Sequence, residues 1–172
     1  NSKNKNMQSH YLSEDNSILN HFLGQIRNVN VHNDSMRFRR NIERIGEIMA
    51  YELSKELHYA PVEIQTPLGV KNTTEIKDQL VLCSILRAGL PLHLGFLNYF
   101  DSAENGFVSA FRHHPNNDDY FDILVQYQAI ADINGKNLVL VDPMLATGQS
   151  IVAVYNKLME RQVGKITFKT SR

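Results

Sequence analysis

The stretch VLVDPMLATGQS, residues 139–150, leads from strand-forming residues through a turn of small residues into a helix, and Asp142 stands where the strand runs out. In open α/β sheets ligands bind beyond the carboxyl ends of the strands, which puts Asp142 where chemistry is usually found. Ala146, Thr147 and Gly148 are small enough for backbone N–H groups to close on an anion, and Ser150 opens a helix whose positive end faces the same space. A helix dipole contributes at most about 2 kcal/mol, whereas each hydrogen bond to a charged group contributes about 1.5–3 kcal/mol, so the backbone cradle dominates. A carboxylate beside a phosphate repels it. Asp142 must therefore address another part of the ligand, most simply a pair of sugar hydroxyls, and a phosphorylated ribose satisfies both ends. The plainer alternative is that Asp142 and Thr147 only cap the following helix. The loop is neither a P-loop, since it lacks Gly-Lys-Ser/Thr, nor the Gly-x-Gly-x-x-Gly dinucleotide turn.

Two arginines stand at comparable places. Arg87 follows the apolar run QLVLCSIL (79–86) and precedes Ala88 and Gly89, so backbone can approach an anion closely while the guanidinium pairs with it. Arg112 lies near the end of NGFVSAFRHH (105–114). A surface arginine is more often solvated or ion-paired, but two at strand ends beside an anion loop are better ligand candidates. His113 and His114 point to opposite faces of a strand and cannot easily share a metal ion. Cys83, inside an apolar strand, reads as a small core residue rather than a thiolate. Tyr120, Phe121 and Tyr127 can stack on a base, although aromatic residues on a flap more often pack beneath it. Nothing resembles a Ser-His-Asp or Cys-His nucleophile.

The elements that must hold these groups follow from periodicity. Ile18, Leu19, Phe22, Leu23 and Ile26 predict a short helix. After the caps Asp34 or Ser35, Phe38, Ile42, Ile45, Met49, Leu53 and Leu57 predict a longer one, with Arg37, Arg39, Arg40, Glu43 and Arg44 mostly on its other faces. APVEIQTPLGV reads as an extended edge segment, 79–86 as a strand buried on both faces, 90–100 as a helix and 105–114 as a second central strand. NNDDYFDILVQYQAI reads as a projecting hairpin or flap, Asn134-Gly135 precedes a strand at 137–142, and KITFKTSR starts one more. Strands alternating with helices predict a mainly parallel, doubly wound α/β sheet flanked by helices. The expected division is a polar leader, 1–16, before one domain, 17–172. A chain of 172 residues can bury about 70% of its unfolded surface. Lys plus Arg equals Asp plus Glu, 18 each, so no global field recruits nucleic acid or membrane. The one cysteine excludes an internal disulfide and favours the cytoplasm.

VLVDPMLATGQS resembles the phosphoribosyl diphosphate loop of type I phosphoribosyltransferases, and its Pro-Met-Leu-Ala version resembles the uracil phosphoribosyltransferase family in particular. RIGEIMAYEL, VEIQTPLGVK and SILRAGLPLHLGFLNYF stand in that family's order and spacing, followed by GFVSAFRHHP where the family has a Gly-Leu-Tyr-Arg-like strand end. The resemblance covers about residues 17–160. It implies that Arg87 and Arg112 contact the ribosyl diphosphate and that Asp142, Pro143, Met144, Leu145, Ala146, Thr147, Gly148, Gln149 and Ser150 hold the ribose hydroxyls and 5′-phosphate. It also implies the reaction of uracil with phosphoribosyl diphosphate to give UMP and diphosphate, Mg²⁺ bound with the diphosphate, and a homodimer or higher homo-oligomer.

Three departures from the family pattern stand beside it. Gln149 replaces the second glycine of Thr-Gly-Gly-Ser, adding bulk beside the phosphate. The Tyr-Tyr-x-Lys-Leu-Pro-like segment is replaced around VQYQAI. Nothing matches the Gly-x-Gly-Asp-Ala-Gly-Asp-like segment that recognises uracil, so no residue is assigned to the base. Two alternatives stay open: a relative without turnover, and a nucleotide-binding regulator that uses RNA, for which Arg37, Arg39, Arg40 and Arg44 are the only basic cluster.

Overall fold

The first helix starts where the Ser17 hydroxyl accepts from the Leu19 N–H at 3.2 Å, giving α1 (Ile18–Arg27). Asp34 does the same for α2 (Ser35–Ser54), accepting from the Arg37 N–H at 3.1 Å. These belong to a computed structural model that describes residues 9–31, 33–113, 122–130, 132–143, 149–159 and 165–169. The other elements are β1 (Tyr59–Thr66), β2 (Gly69–Ile76), β3 (Leu80–Leu86), α3 (Leu90–Tyr99), β4 (Glu104–His113), β5 (Asp122–Ala129), β6 (Asn137–Val141), α4 (Gln149–Met159) and β7 (Lys165–Lys169).

The main sheet has the order β5-β4-β3-β6-β7. β4, β3, β6 and β7 run parallel, and β5 is antiparallel at one edge. The expected mainly parallel, doubly wound sheet is what forms. Strand alternation divides the core in two, because successive side chains leave opposite faces. Leu80, Leu82, Val139 and Val141 pack with α1, α2 and α3 on one face, while Val81, Cys83, Leu138 and Leu140 pack with Val154 and Leu158 of α4 on the other. The continuous apolar runs are explained by this double burial. Cys83 is fully buried in the second layer, and burial pushes its thiol up to about 12, so it is the core residue expected.

Two segments depart from the simple reading. APVEIQTPLGV does not border the main sheet: β1 pairs antiparallel with β2 in a separate two-stranded ribbon turned at Gly69, whose φ of 129° suits glycine. The 122–129 part of the expected flap is the edge strand β5. Its pairing with β4 continues from Ala110 to His113, past the last β3 partner at Ser109, with a bulge between Ser109 and Ala110. At about 3.4 Å per residue, this ribbon projects roughly 13 Å beyond β3. Ahead of α1, Leu12 packs against the first core and His10 Nε2 lies 2.9 Å from Glu56. Among the described residues no helix is long and apolar enough to cross a membrane.

Candidate active site

β3 and β6 are adjacent and parallel, yet the chain leaves them in opposite directions: β3 leads through α3 to β4, and β6 through α4 to β7. That is a topological switch point, where the connections diverge and leave a crevice at the carboxyl ends. Ser84 pairs with Val141 as the last rung between the two strands, so Asp142, one residue past it, and Arg87, three residues past it, follow the ends of neighbouring strands. The helices that follow, α3 and α4, both begin at this edge.

The Arg87 turn is built by close backbone approach. Gly89 N–H donates to Ile85 O at 3.1 Å, Leu90 N–H to Arg87 O at 3.2 Å, and His93 N–H to Gly89 O at 2.9 Å. A Cβ on Gly89 would lie 2.8 Å from Ile85 O and 3.2 Å from Val141 O. Gly89 has an ordinary φ of −70°, so glycine is needed here for space rather than for conformation. The turn is thereby pressed against the end of β6. Arg87 itself is exposed, and among the described residues its guanidinium has no hydrogen-bond or ion-pair partner. Asp142 is buried, 6% exposed, at the end of β6, and Pro143 after it is buried too. Gln149 and Ser150 form the first turn of α4. Met144, Leu145, Ala146, Thr147 and Gly148 lie outside the described residues, as do His114, Tyr120 and Phe121. Arg112 and His113 belong to the projecting end of β4, at backbone positions paired with Ile123 and Asp122, and Tyr127 is paired with Ser109.

Beneath the Arg87 turn lies a polar group that periodicity does not reveal. His93, 2% exposed on α3, has Nδ1 2.6 Å from Ser84 Oγ and Nε2 2.7 Å from Asn105 Oδ1. Desolvation lowers the His93 pKa from the ordinary 6.5, with the Asn105 hydrogen bond partly opposing it. Single-chain spacing cannot disclose this trio, since its members come from β3, α3 and β4; the signal available was a histidine amid apolar residues in LPLHLGFLNY.

The α2 arginines are mostly answered locally. Arg40 Nη1 lies 2.9 Å from Glu43, Arg37 Nε 3.5 Å from Asp34, and Arg44 sits over the Phe22 ring at 5.3 Å while donating to Asn41. Two of the four α2 arginines, Arg37 and Arg40, are ion-paired, while Arg44 meets neutral partners. Among the described residues no group of three or more His, Cys, Asp or Glu side chains can hold a metal. Mg²⁺ commonly keeps several waters and is bound by one or two carboxylates together with substrate phosphates, a chemistry that a single carboxylate fits. Asp142 is the carboxylate the sheet presents at the switch point.

Comparison with known proteins agrees with this layout. Residues 13–170 match the family model for uracil phosphoribosyltransferase. A uracil phosphoribosyltransferase of Porphyromonas gingivalis is 48% identical over 155 residues, spanning 90% of this chain and 71% of that protein. One from Methanothermobacter thermautotrophicus is 39% identical over 127 residues, 73% of this chain and 58% of its own length. Among solved structures, the AQ2163 protein from Aquifex aeolicus superposes with a TM-score of 0.80 at 23% identity, covering 91% of this chain and 73% of that one. A hypoxanthine phosphoribosyltransferase from Staphylococcus aureus gives 0.56 at 15% identity, with 77% and 62% covered. At those identities the structural likeness speaks for the fold alone, which is that of the type I phosphoribosyltransferases. The sequence matches go further: extending over nearly the whole chain, they establish that it belongs to the uracil phosphoribosyltransferase family.

Proposed function

We propose that this chain transfers the 5-phosphoribosyl group of phosphoribosyl diphosphate to uracil, giving UMP and diphosphate. The observation that carries the reading is that Arg87 and Asp142 follow the ends of two adjacent parallel strands at the switch point, in a chain of this pentosyltransferase family. As the C1′–O bond breaks, positive charge grows on the ribose and negative charge on the departing diphosphate. A nucleophilic side chain is unnecessary; alignment and electrostatics supply the rate. Arg87 pairs with the diphosphate, and Arg112 is the second arginine assigned to it. Asp142 accepts from the ribose hydroxyls and orients C1′ toward the base. Residues 143–150, which lead into α4, are assigned to the 5′-phosphate. Mg²⁺ held with the diphosphate would supply neutralisation of the leaving group's charge. The single buried thiol supports a cytoplasmic setting.

Asp142→Asn keeps the shape but exchanges a charged acceptor for a neutral amide. Two hydroxyl contacts then lose their charge assistance, and the expected fall in kcat/KM for phosphoribosyl diphosphate is about 10- to 150-fold, from about 1.5–3 kcal/mol. Initial rates of UMP formation from uracil and Mg²⁺-phosphoribosyl diphosphate measure it. Wild-type turnover retained in the variant removes Asp142 from the site, and absence of turnover in the wild type sinks the enzymatic reading.

The reading includes a homo-oligomer, and the β1–β2 ribbon supports it. A lone two-stranded ribbon is marginal in water. This one leaves Ile64, Val70 and Ile76 exposed and Leu68 completely so. A second copy of the chain covers them. Leu68→Asp is expected to shift the chain toward monomer in sedimentation velocity, and an unchanged distribution removes the ribbon from the interface.

A further inference from the structure

We propose that Ser84, His93 and Asn105 form a positioning chain, buried at Ser84 and His93, that sets the Arg87 turn for the diphosphate. The inference rests on the reading that Arg87 meets the diphosphate. His93 grips that turn from both sides: its backbone N–H donates to Gly89 O at 2.9 Å, after Arg87, and its ring meets the Ser84 hydroxyl at 2.6 Å, before Arg87. Asn105 Oδ1 can only accept, so Nε2 carries the ring proton and Nδ1 accepts from the Ser84 O–H. One tautomer and one hydroxyl direction follow. The ring plane is held by Phe107, whose centroid is 5.0 Å away. Ser84 is fully buried, and its Cβ lies 3.2 Å from where a Cβ on Gly89 would stand, so a change in Ser84 is felt in the turn directly.

Packing alone does not call for this arrangement. Apolar side chains would fill the same volume without three polar groups to satisfy, and a buried hydrogen bond adds only about 0.5–1.5 kcal/mol net. Direction is what the polar chain adds. The three members tie β3, α3 and β4 together just below the turn, and burial disfavours protonation of His93.

The test compares two ligands by titration calorimetry on the full chain: Mg²⁺-phosphoribosyl diphosphate, and ribose 5-phosphate, which lacks the group Arg87 addresses. Ser84→Ala is expected to weaken the first about tenfold, the equivalent of one hydrogen bond, and to leave the second unchanged. Ser84→Cys, which keeps a weak donor, is expected to recover part of the loss. Asn105→Ala, at the more exposed end, gives the same pattern at about threefold and serves if Ser84→Ala does not fold. Arg87→Ala provides the reference, losing the first ligand and keeping the second. A folded Ser84→Ala that binds both ligands as wild type does, or loses both equally, overturns the positioning role. Unchanged binding in Arg87→Ala overturns the diphosphate reading instead, and this inference falls with it.

Discussion

Arg87→Met is expected to lower kcat/KM for phosphoribosyl diphosphate by about 10²–10³-fold, the range for removing a fixed donor aimed at developing negative charge. The leaving diphosphate gains charge as the C1′–O bond breaks, so a guanidinium held beside it contributes more in the transition state than in the ground state. Methionine keeps the reach of the side chain and removes the fork. Arg87→Lys, a point charge without bidentate geometry, should fall between, about tenfold below wild type. Because Arg87 is exposed, neither change should move stability by more than about 0.5 kcal/mol, so the kinetic loss cannot be assigned to unfolding. The measurement is a rate series in phosphoribosyl diphosphate at saturating uracil, beside a thermal melt. An Arg87→Met enzyme within threefold of wild type would remove Arg87 from the reaction.

The largest stability effect belongs where α2 crosses α3. A Cβ on Gly95 would overlap Glu43 O and stand 2.8 Å from Gly46 Cα; one on Gly46 would stand 2.6 Å from Leu92 O. All of these obstacles are backbone, which no rotamer change can relieve. Gly95→Ala must therefore push two helices apart, at about 3 kcal/mol, the upper end of ordinary overpacking, or about 6–12 °C of Tm for a chain this size. Gly24 in α1 is the contrasting case, with nothing within 4 Å of its Cβ position. There, alanine should stabilise by about 0.5–1 kcal/mol through helix propensity. Urea denaturation of the two variants reads both signs. A Gly95→Ala midpoint equal to that of wild type would show that the helices separate freely.

Much of this was legible in the sequence because burial imposes pattern. QLVLCSIL announces a strand covered on both faces, and β3 is buried from Leu80 to Ile85. The spacing of Ile42, Ile45, Met49 and Leu53 marks the face α2 puts into the core. Asp142 and Arg87 could be singled out because a polar side chain at the end of an apolar run is conspicuous. What stayed hidden lacked such a pattern. β2 is exposed along most of its length, so nothing requires GVKNTTEI to alternate. The contact between Gly46 and Gly95 depends on two helices meeting, and each glycine alone signals only a weak helix position. The Ser84–His93–Asn105 trio depends on register between strands and a crossing helix, which spacing along one chain does not encode.

The pairing of β3 with β6 has a kinetic corollary. The strands that lead to Arg87 and Asp142 are separated along the chain by α3, β4 and β5, so their pairing is a long-range closure of high contact order. Such contacts repay their loop entropy late, when most surface is already buried. A partly folded chain can possess α1, α2 and the β1–β2 ribbon, all made from local contacts, and still have no crevice at all. Assembly of the crevice and commitment to the native state are then one event during folding.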